Sequence, residues 1–273
     1  MKRSFLLLNW LLFFIAFPTS AQVGHILLTP KPEIPRVETG DVVIFHTGYS
    51  FLYDEEHEQA SWVAYELTRE ETNNRVKRSN RFKPDPWVST GTANNADYAR
   101  SGYDRGHLAP AADMGWSATV MAESFYYSNM SPQLHGFNAG IWKKLEELVR
   151  TWAIEQEGLL VVTGPVLKKG LKTIGANGVS VPEWYYKVIL DHREPGIKAI
   201  AFLLPHASFS GSLQSFVVPI DSVESVTGID FFPDFPGEDY LEKNSCIELW
   251  NWTGKRTTPT NGYSHVHEEQ GRR

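Results

Sequence analysis

A chain of 273 residues with 42% hydrophobic, 13% aromatic and 21% charged side chains can bury a sizeable core, which excludes an intrinsically disordered protein. Its net charge of −6 excludes a globally basic coat, so attraction to a polyanion would have to come from local clusters of cations and a metal ion. The single cysteine, Cys246, excludes an intrachain disulfide and reads as a small buried hydrophobe.

Lys2 and Arg3 precede the apolar run Phe5 to Phe17 and the small-residue stretch Pro18-Thr19-Ser20-Ala21. This is the layout of a secretory signal peptide over residues 1–21, cleaved before Gln22. Asn9 interrupts the run, which falls short of the roughly 20 residues of a membrane span. The expectation is a secreted or periplasmic protein without stable membrane association, its mature chain carrying 24 basic against 32 acidic residues. Residues 22–40 hold prolines without periodicity and read as an irregular N-terminal segment.

The folded body is expected over residues 41–255. Strand-like segments, rich in β-branched and aromatic residues, occur at Val42 to His46, Ser61 to Leu67, Leu159 to Thr163, Trp184 to Leu190, Ile197 to Leu204 and Ser215 to Ile220. The spacing of Ile141, Trp142, Leu145, Leu148, Val149, Trp152 and Ala153 predicts a helix over Ala139 to Gln156, stopped by Gly158. A second helix is expected from Asp221, with Glu224 completing a capping box. Without a regular βαβ alternation the class is α+β around a mainly antiparallel sheet. Residues 256–273, with His265 and His267, read as a flexible C-terminal tail.

Arg69, Arg75, Lys77, Arg78, Arg81 and Lys83 form one basic cluster, equally readable as a solvated strand or as a polyanion contact. Ser101 to Leu108 reads as extended, which puts Tyr103, Arg105 and His107 on one face. An arginine beside a histidine would hold the imidazole neutral by like-charge repulsion, the form a general base requires, and could grip a phosphate. A histidine satisfied in a turn beside a surface arginine carries equal weight on this segment alone. Asn138 stands at the expected helix start, where it could be an N-cap or offer magnesium a neutral oxygen. Along the same helix, Glu146 and Arg150 lie at the edge of the apolar stripe, able to look into a cleft or to pair on the surface.

Asp104-Arg105-Gly106-His107, Ser128-Asn129-Met130-Ser131-Pro132-Gln133 and Phe137-Asn138 through Leu145-Glu146 resemble the sugar-nonspecific DNA/RNA endonucleases, relatives of mitochondrial endonuclease G among the ββα-metal nucleases. The resemblance continues through Val162-Thr163-Gly164-Pro165, Tyr185-Tyr186-Lys187-Val188 and Thr227-Gly228-Ile229-Asp230-Phe231-Phe232, from about Asp41 to Leu249. It implies DNA and RNA as substrates and a Mg2+ ion, with Mn2+ as a substitute, held by Asn138. It further implies that His107 is the general base, that Arg105 and Arg150 neutralise the phosphate, and that Glu146 orients metal-bound water. Asn129 joins the catalytic set without a defined role, Asp104 reads as a supporting residue, and Arg81 is a looser substrate contact. Ala139 stands where many relatives carry an arginine, which puts substrate affinity in question.

The rival readings are a phosphodiesterase for small nucleotides and a non-catalytic polyanion-binding module on the same fold. Neither a GxSxG elbow, an HExxH zinc motif nor a GxxxxGK[ST] loop is present to suggest another hydrolase.

Overall fold

The computed structural model describes residues 31–193 and 196–253. The apolar run, its cleavage site and the tail with His265 and His267 lie outside the described residues. Among the described residues, those from Pro32 onward form one compact unit.

The strands are β1 (Val43–Phe45), β2 (Ser50–Asp54), β3 (Gln59–Thr68), β4 (Asp104–His107), β5 (Met130–Gln133), β6 (Gly158–Pro165), β7 (Thr173–Ile174), β8 (Val179–Ser180), β9 (Trp184–Asp191), β10 (Lys198–Pro205) and β11 (Val217–Val218). The helices are α1 (Asn95–Tyr98), α2 (Ala118–Glu123), α3 (Lys143–Glu155), α4 (Ile220–Thr227) and α5 (Glu238–Lys243). A seven-stranded sheet runs β1-β2-β3-β6-β9-β10-β11, each neighbouring pair antiparallel. Two ribbons, β4-β5 and β7-β8, stand apart from it.

The sheet is covered on both sides, and the alternation of side chains along each strand builds two separate cores. On one side Phe51, Val63, Tyr65, Val161, Tyr185, Ile189 and Phe202 pack with Trp142, Leu145, Val149 and Trp152 from α3 and the turn before it. On the other, Trp62, Leu160, Tyr186, Val188 and Ala201 pack against Ile220 and Val223 of α4 and Leu241 of α5. Trp152 is fully buried and its indole N–H donates to the Asn251 carbonyl at 2.6 Å, tying α3 to the end of the described chain. Fully burying one such side chain stabilises the fold by about 1.5–3 kcal/mol.

Local signals and structure part company at four places. The expected strand Ser215–Ile220 shrinks to the two residues of β11, because Leu213–Phe216 curl into a 3-10 turn capped by Ser212. At α4 the residue before the helix is Pro219, which has no side chain to cap with, and the Glu224 carboxylate accepts instead from the Phe231 N–H at 2.8 Å. The capping box is therefore absent. The predicted helix start at Ala139 falls inside a π-helical turn, Phe137–Trp142, kinked at Gly140, and regular α-helix begins only at Lys143. Cys246 is half-buried rather than buried.

Candidate active site

β4 and β5 pair antiparallel, with Asp104 opposite Gln133 and His107 opposite Met130, and the chain then enters the π turn and α3. This strand–strand–helix unit is clamped to the main sheet from below. Ser131 Oγ donates to Gln59 Oε1 at 2.6 Å, and the Tyr185 hydroxyl donates to the Pro132 carbonyl at 2.8 Å. Gly106 is required by packing: a Cβ there would stand 2.2 Å from the Gln133 side chain.

His107 ends β4 buried, its ring edge-on to Phe125 at 4.8 Å and tilted against Phe82 at 5.9 Å. Its Nε2 is buried without a hydrogen-bond partner. Burial, reinforced by the charge of Arg78, pushes the imidazole down to about 3, so the ring is neutral across the physiological range. Repulsion from Arg105 was the expected cause, and the structure corrects it. Arg105 turns aside, donating through Nε to the Tyr127 hydroxyl at 2.9 Å and lying over the rings of Phe82 and Tyr98.

At the other end of β4, Asp104 Oδ2 accepts from Asn138 Nδ2 at 3.0 Å and contacts His135 Nδ1 at 2.9 Å. The anchoring fixes the carboxamide by its nitrogen and leaves Oδ1 outside any hydrogen bond. The N-cap alternative falls, since Asn138 lies within the π turn and its side chain caps no helix. A neutral oxygen held by one edge suits a hard divalent cation that keeps most of its shell as water, so the residues present fit a magnesium-type ion. Ala139 is exposed on the same turn.

On α3 the exposed face carries Lys143, Lys144 and Glu147, with a Lys143–Glu147 surface pair, as the helical projection places them. Glu146 is half-buried at the stripe's edge. Burial raises its carboxyl above the ordinary range against the pull of Lys187, with Asp113 adding to the rise and Arg150 and Arg78 opposing it. Arg150 donates through Nη1 to Asp113 Oδ1 at 2.7 Å, and the Tyr65 hydroxyl donates to the other oxygen at 2.9 Å. Lys187, on the α3 side of β9, is buried with its ammonium 4.9 Å from the centre of the Trp142 ring.

Two residues were not singled out from sequence. Arg78, one of six cations in the basic cluster, lies over the Phe125 ring at 5.0 Å, and its charge acts on both His107 and Glu146. Arg81, the expected contact, is exposed and forms no ion pair or hydrogen bond. Lys187 appears in sequence only within the family-like run Tyr185-Tyr186-Lys187-Val188, which reads as a strand and attaches no role to it. Asn129 is fully buried and spends its carboxamide on main chain: Oδ1 accepts from the Ala109 N–H at 2.8 Å, and Nδ2 donates to the carbonyls of Ala109 and Ser124, both at 2.9 Å. It fastens the chain leaving His107 to the end of α2.

A neutral buried histidine, a nearby arginine and a carboxamide oxygen on a strand–strand–helix unit are groups that phosphodiester hydrolysis aided by a divalent ion would use. The chain belongs to the DNA/RNA non-specific endonuclease family, whose family model matches residues 34–238. It is 38% identical over 213 residues to the mitochondrial nuclease EXOG of Danio rerio, a match covering 72% of this chain and 62% of that protein. Human mitochondrial endonuclease G is 34% identical over 201 residues, covering 68% of each, and nuclease C1 of Cunninghamella echinulata is 36% identical over 204, covering 67% of this chain and 80% of the relative. The fold matches a crystal structure of an EndoG/EndoGI complex with a TM-score of 0.68 at 33% identity, covering 75% of this chain and 92% of that one. The match thus spans less than two thirds of the length of EXOG from Danio rerio.

The expected ββα α+β class stands on this likeness. The expected secreted or periplasmic location does not. Relatives matched here, from zebrafish EXOG to human endonuclease G, are mitochondrial nucleases, and the apolar run on which export rested lies outside the described residues.

Proposed function

We propose that this chain is a metal-dependent endonuclease that hydrolyses phosphodiester bonds in both DNA and RNA. The observation that carries the reading is His107: a neutral imidazole with a ring nitrogen free of hydrogen bonds, on a strand whose other end fixes Asn138 with its oxygen unused.

His107 takes a proton from water, and the resulting hydroxide attacks phosphorus. Arg105, Arg78 and the edge of the Arg150 guanidinium not spent on Asp113 meet the charge that develops on the phosphoryl oxygens. Asn138 Oδ1 would hold a divalent ion, Mg2+ with Mn2+ as a substitute, and Glu146 is placed on the same side of the site to orient water. Such an ion supplies stabilisation of the leaving oxygen. Asn129 and Asp104 position His107 and Asn138 without touching substrate. Each of these roles concerns the phosphodiester and the attacking water alone, a chemistry common to DNA and RNA.

The test is cleavage of supercoiled plasmid and of structured RNA by the purified chain, with magnesium, with chelator, and with His107→Ala as the control. Loss of both substrates only in the magnesium-supplied wild type supports the reading. A folded protein inert on both polymers yet active on small nucleotides would replace it with a phosphodiesterase.

A further inference from the structure

Beside the β4-β5 ribbon lies a cleft of about 460 Å³ that the catalytic residues do not use. It starts where the ribbon ends. Tyr103 immediately precedes Asp104, and Leu134 immediately follows Gln133. By strand alternation Tyr103 shares a face with Arg105 and His107, and four residues at ~3.3 Å each put it about 13 Å from His107 along the ribbon. Neighbouring nucleotides of a bound strand can bridge that distance.

The lining is aromatic and cationic. Trp184 and Leu134 are 40% and 36% exposed, two of the few large apolar side chains left open to solvent among the described residues. Lys172 places its ammonium 5.5 Å from the centre of the Tyr103 ring. His206, with its ring 6.0 Å from that of Tyr103, is pinned from both sides. It donates through Nδ1 to the Pro182 carbonyl at 2.7 Å, while its Nε2 accepts from the Leu134 N–H at 2.7 Å. The floor is thereby preformed and uncharged. The one carboxylate on the rim, Glu183, is paired with Lys168.

We propose that this cleft is a stacking subsite for an unpaired nucleobase flanking the scissile phosphate, with Trp184 and Tyr103 as the platform and Lys172 meeting the adjoining phosphate. The inference rests on the nuclease reading and deepens it. Flat apolar rings beside a free ammonium match the two faces of a nucleotide, and continuity with β4 places the cleft on the path of a strand engaged at His107. A base held in a duplex cannot enter, so the subsite favours single strands and frayed ends.

The experiment compares wild type, Trp184→Ala and Lys172→Ala on an octathymidylate and on bis(4-nitrophenyl) phosphate, which is too small to reach the cleft. Tyr240→Ala, 65% exposed on the far side of the sheet, serves as the control. Losing one stacked base raises KM for the octanucleotide about 5- to 100-fold, with kcat held and the KM ratio between the two substrates changed to match. Anisotropy of labelled octathymidylate on His107→Ala, with and without Trp184→Ala, reads the same loss without turnover. Wild-type cleavage with an unchanged KM ratio in Trp184→Ala overturns the subsite alone, and so does an equal loss on both substrates. An octanucleotide that wild type does not cleave and His107→Ala does not bind overturns the nuclease reading and the subsite with it.

Discussion

The two faces of the seven-stranded sheet are built alike and charged differently. The face under α3 mixes Arg78, Arg105, Arg150 and Lys187 with Asp104, Asp113 and Glu146, and its buried polar atoms at His107, Gln133, Trp142 and Lys187 find no hydrogen bond. The face under α4 and α5 gathers Asp221, Glu224, Asp230, Glu238 and Glu242, with Arg36 on Asp230 as their cation partner. The net charge of −6 is therefore an average over a working face of both signs and an acidic back, and it does not describe the field a substrate meets. Unsatisfied polar atoms are destabilising, and those of His107 and Lys187 leave unspent groups on the working face.

If the working face alone carries turnover, His107→Ala is the most damaging single change, lowering kcat by about 10²- to 10⁴-fold, the usual contribution of a general base. Because the ring is neutral without help from a partner, the fold should persist, as circular dichroism at matched temperature would show. Wild-type rates would remove the histidine from the mechanism. Next comes Asp104→Ala, which frees the Asn138 amide nitrogen and should weaken magnesium affinity about 10- to 100-fold, read as a shift in the magnesium titration with kcat at saturating ion largely retained. An unmoved titration would mean that Asn138 needs no orientation.

The basic cluster offers an internal comparison. Arg78→Ala should lower kcat/KM by about 10-fold, since its charge reaches both His107 and Glu146, whereas Arg81→Ala should stay within about twofold. Equal losses would say that the cluster acts as a diffuse field. In sequence the two arginines are indistinguishable, three residues apart in one charged loop. What separates them is Phe125, a residue far along the chain whose ring seats Arg78.

That case shows where legibility ended. Five of the seven sheet strands could be read because each carries its own apolar pattern, and α3 because its stripe repeats at 3.6 residues; β2 was missed and β11 was overextended. His107, Asn138, Glu146 and Arg150 could be picked out as candidates because their motifs are contiguous or fall along the segment leading into and through α3. Lys187 and Arg78 could not, since each acquires its role from contacts made across the fold. Asn129 was legible as present and not as a strut, because its three bonds all run to main chain, which leaves no signature in residue identity. Asn129→Ala tests that strut: it strands two carbonyls and one N–H and should cost about 1–3 kcal/mol in urea unfolding. Normal stability with lost activity would instead return Asn129 to the catalytic set.

The smallest effect is expected on the back face. Glu242, half-exposed at the edge of α5, is pushed up to about 7 by partial burial and then by the negative charges of Glu224, Glu238, Asp221 and Asp230. An acid whose folded-state value lies above its unfolded one stabilises the fold below the unfolded value and loses that contribution as pH rises through the folded one. Glu242→Gln should therefore raise Tm at pH 8, where the wild-type carboxylate is charged among like charges. The gain should shrink as pH falls and vanish below about 4.5, where both states of the wild type are protonated. Plasmid cleavage should stay at the wild-type rate throughout. A variant that loses cleavage would tie the acidic face to the reaction and end the division between the two sides of the sheet. A Tm gain independent of pH would trace the effect to packing of α5 rather than to charge.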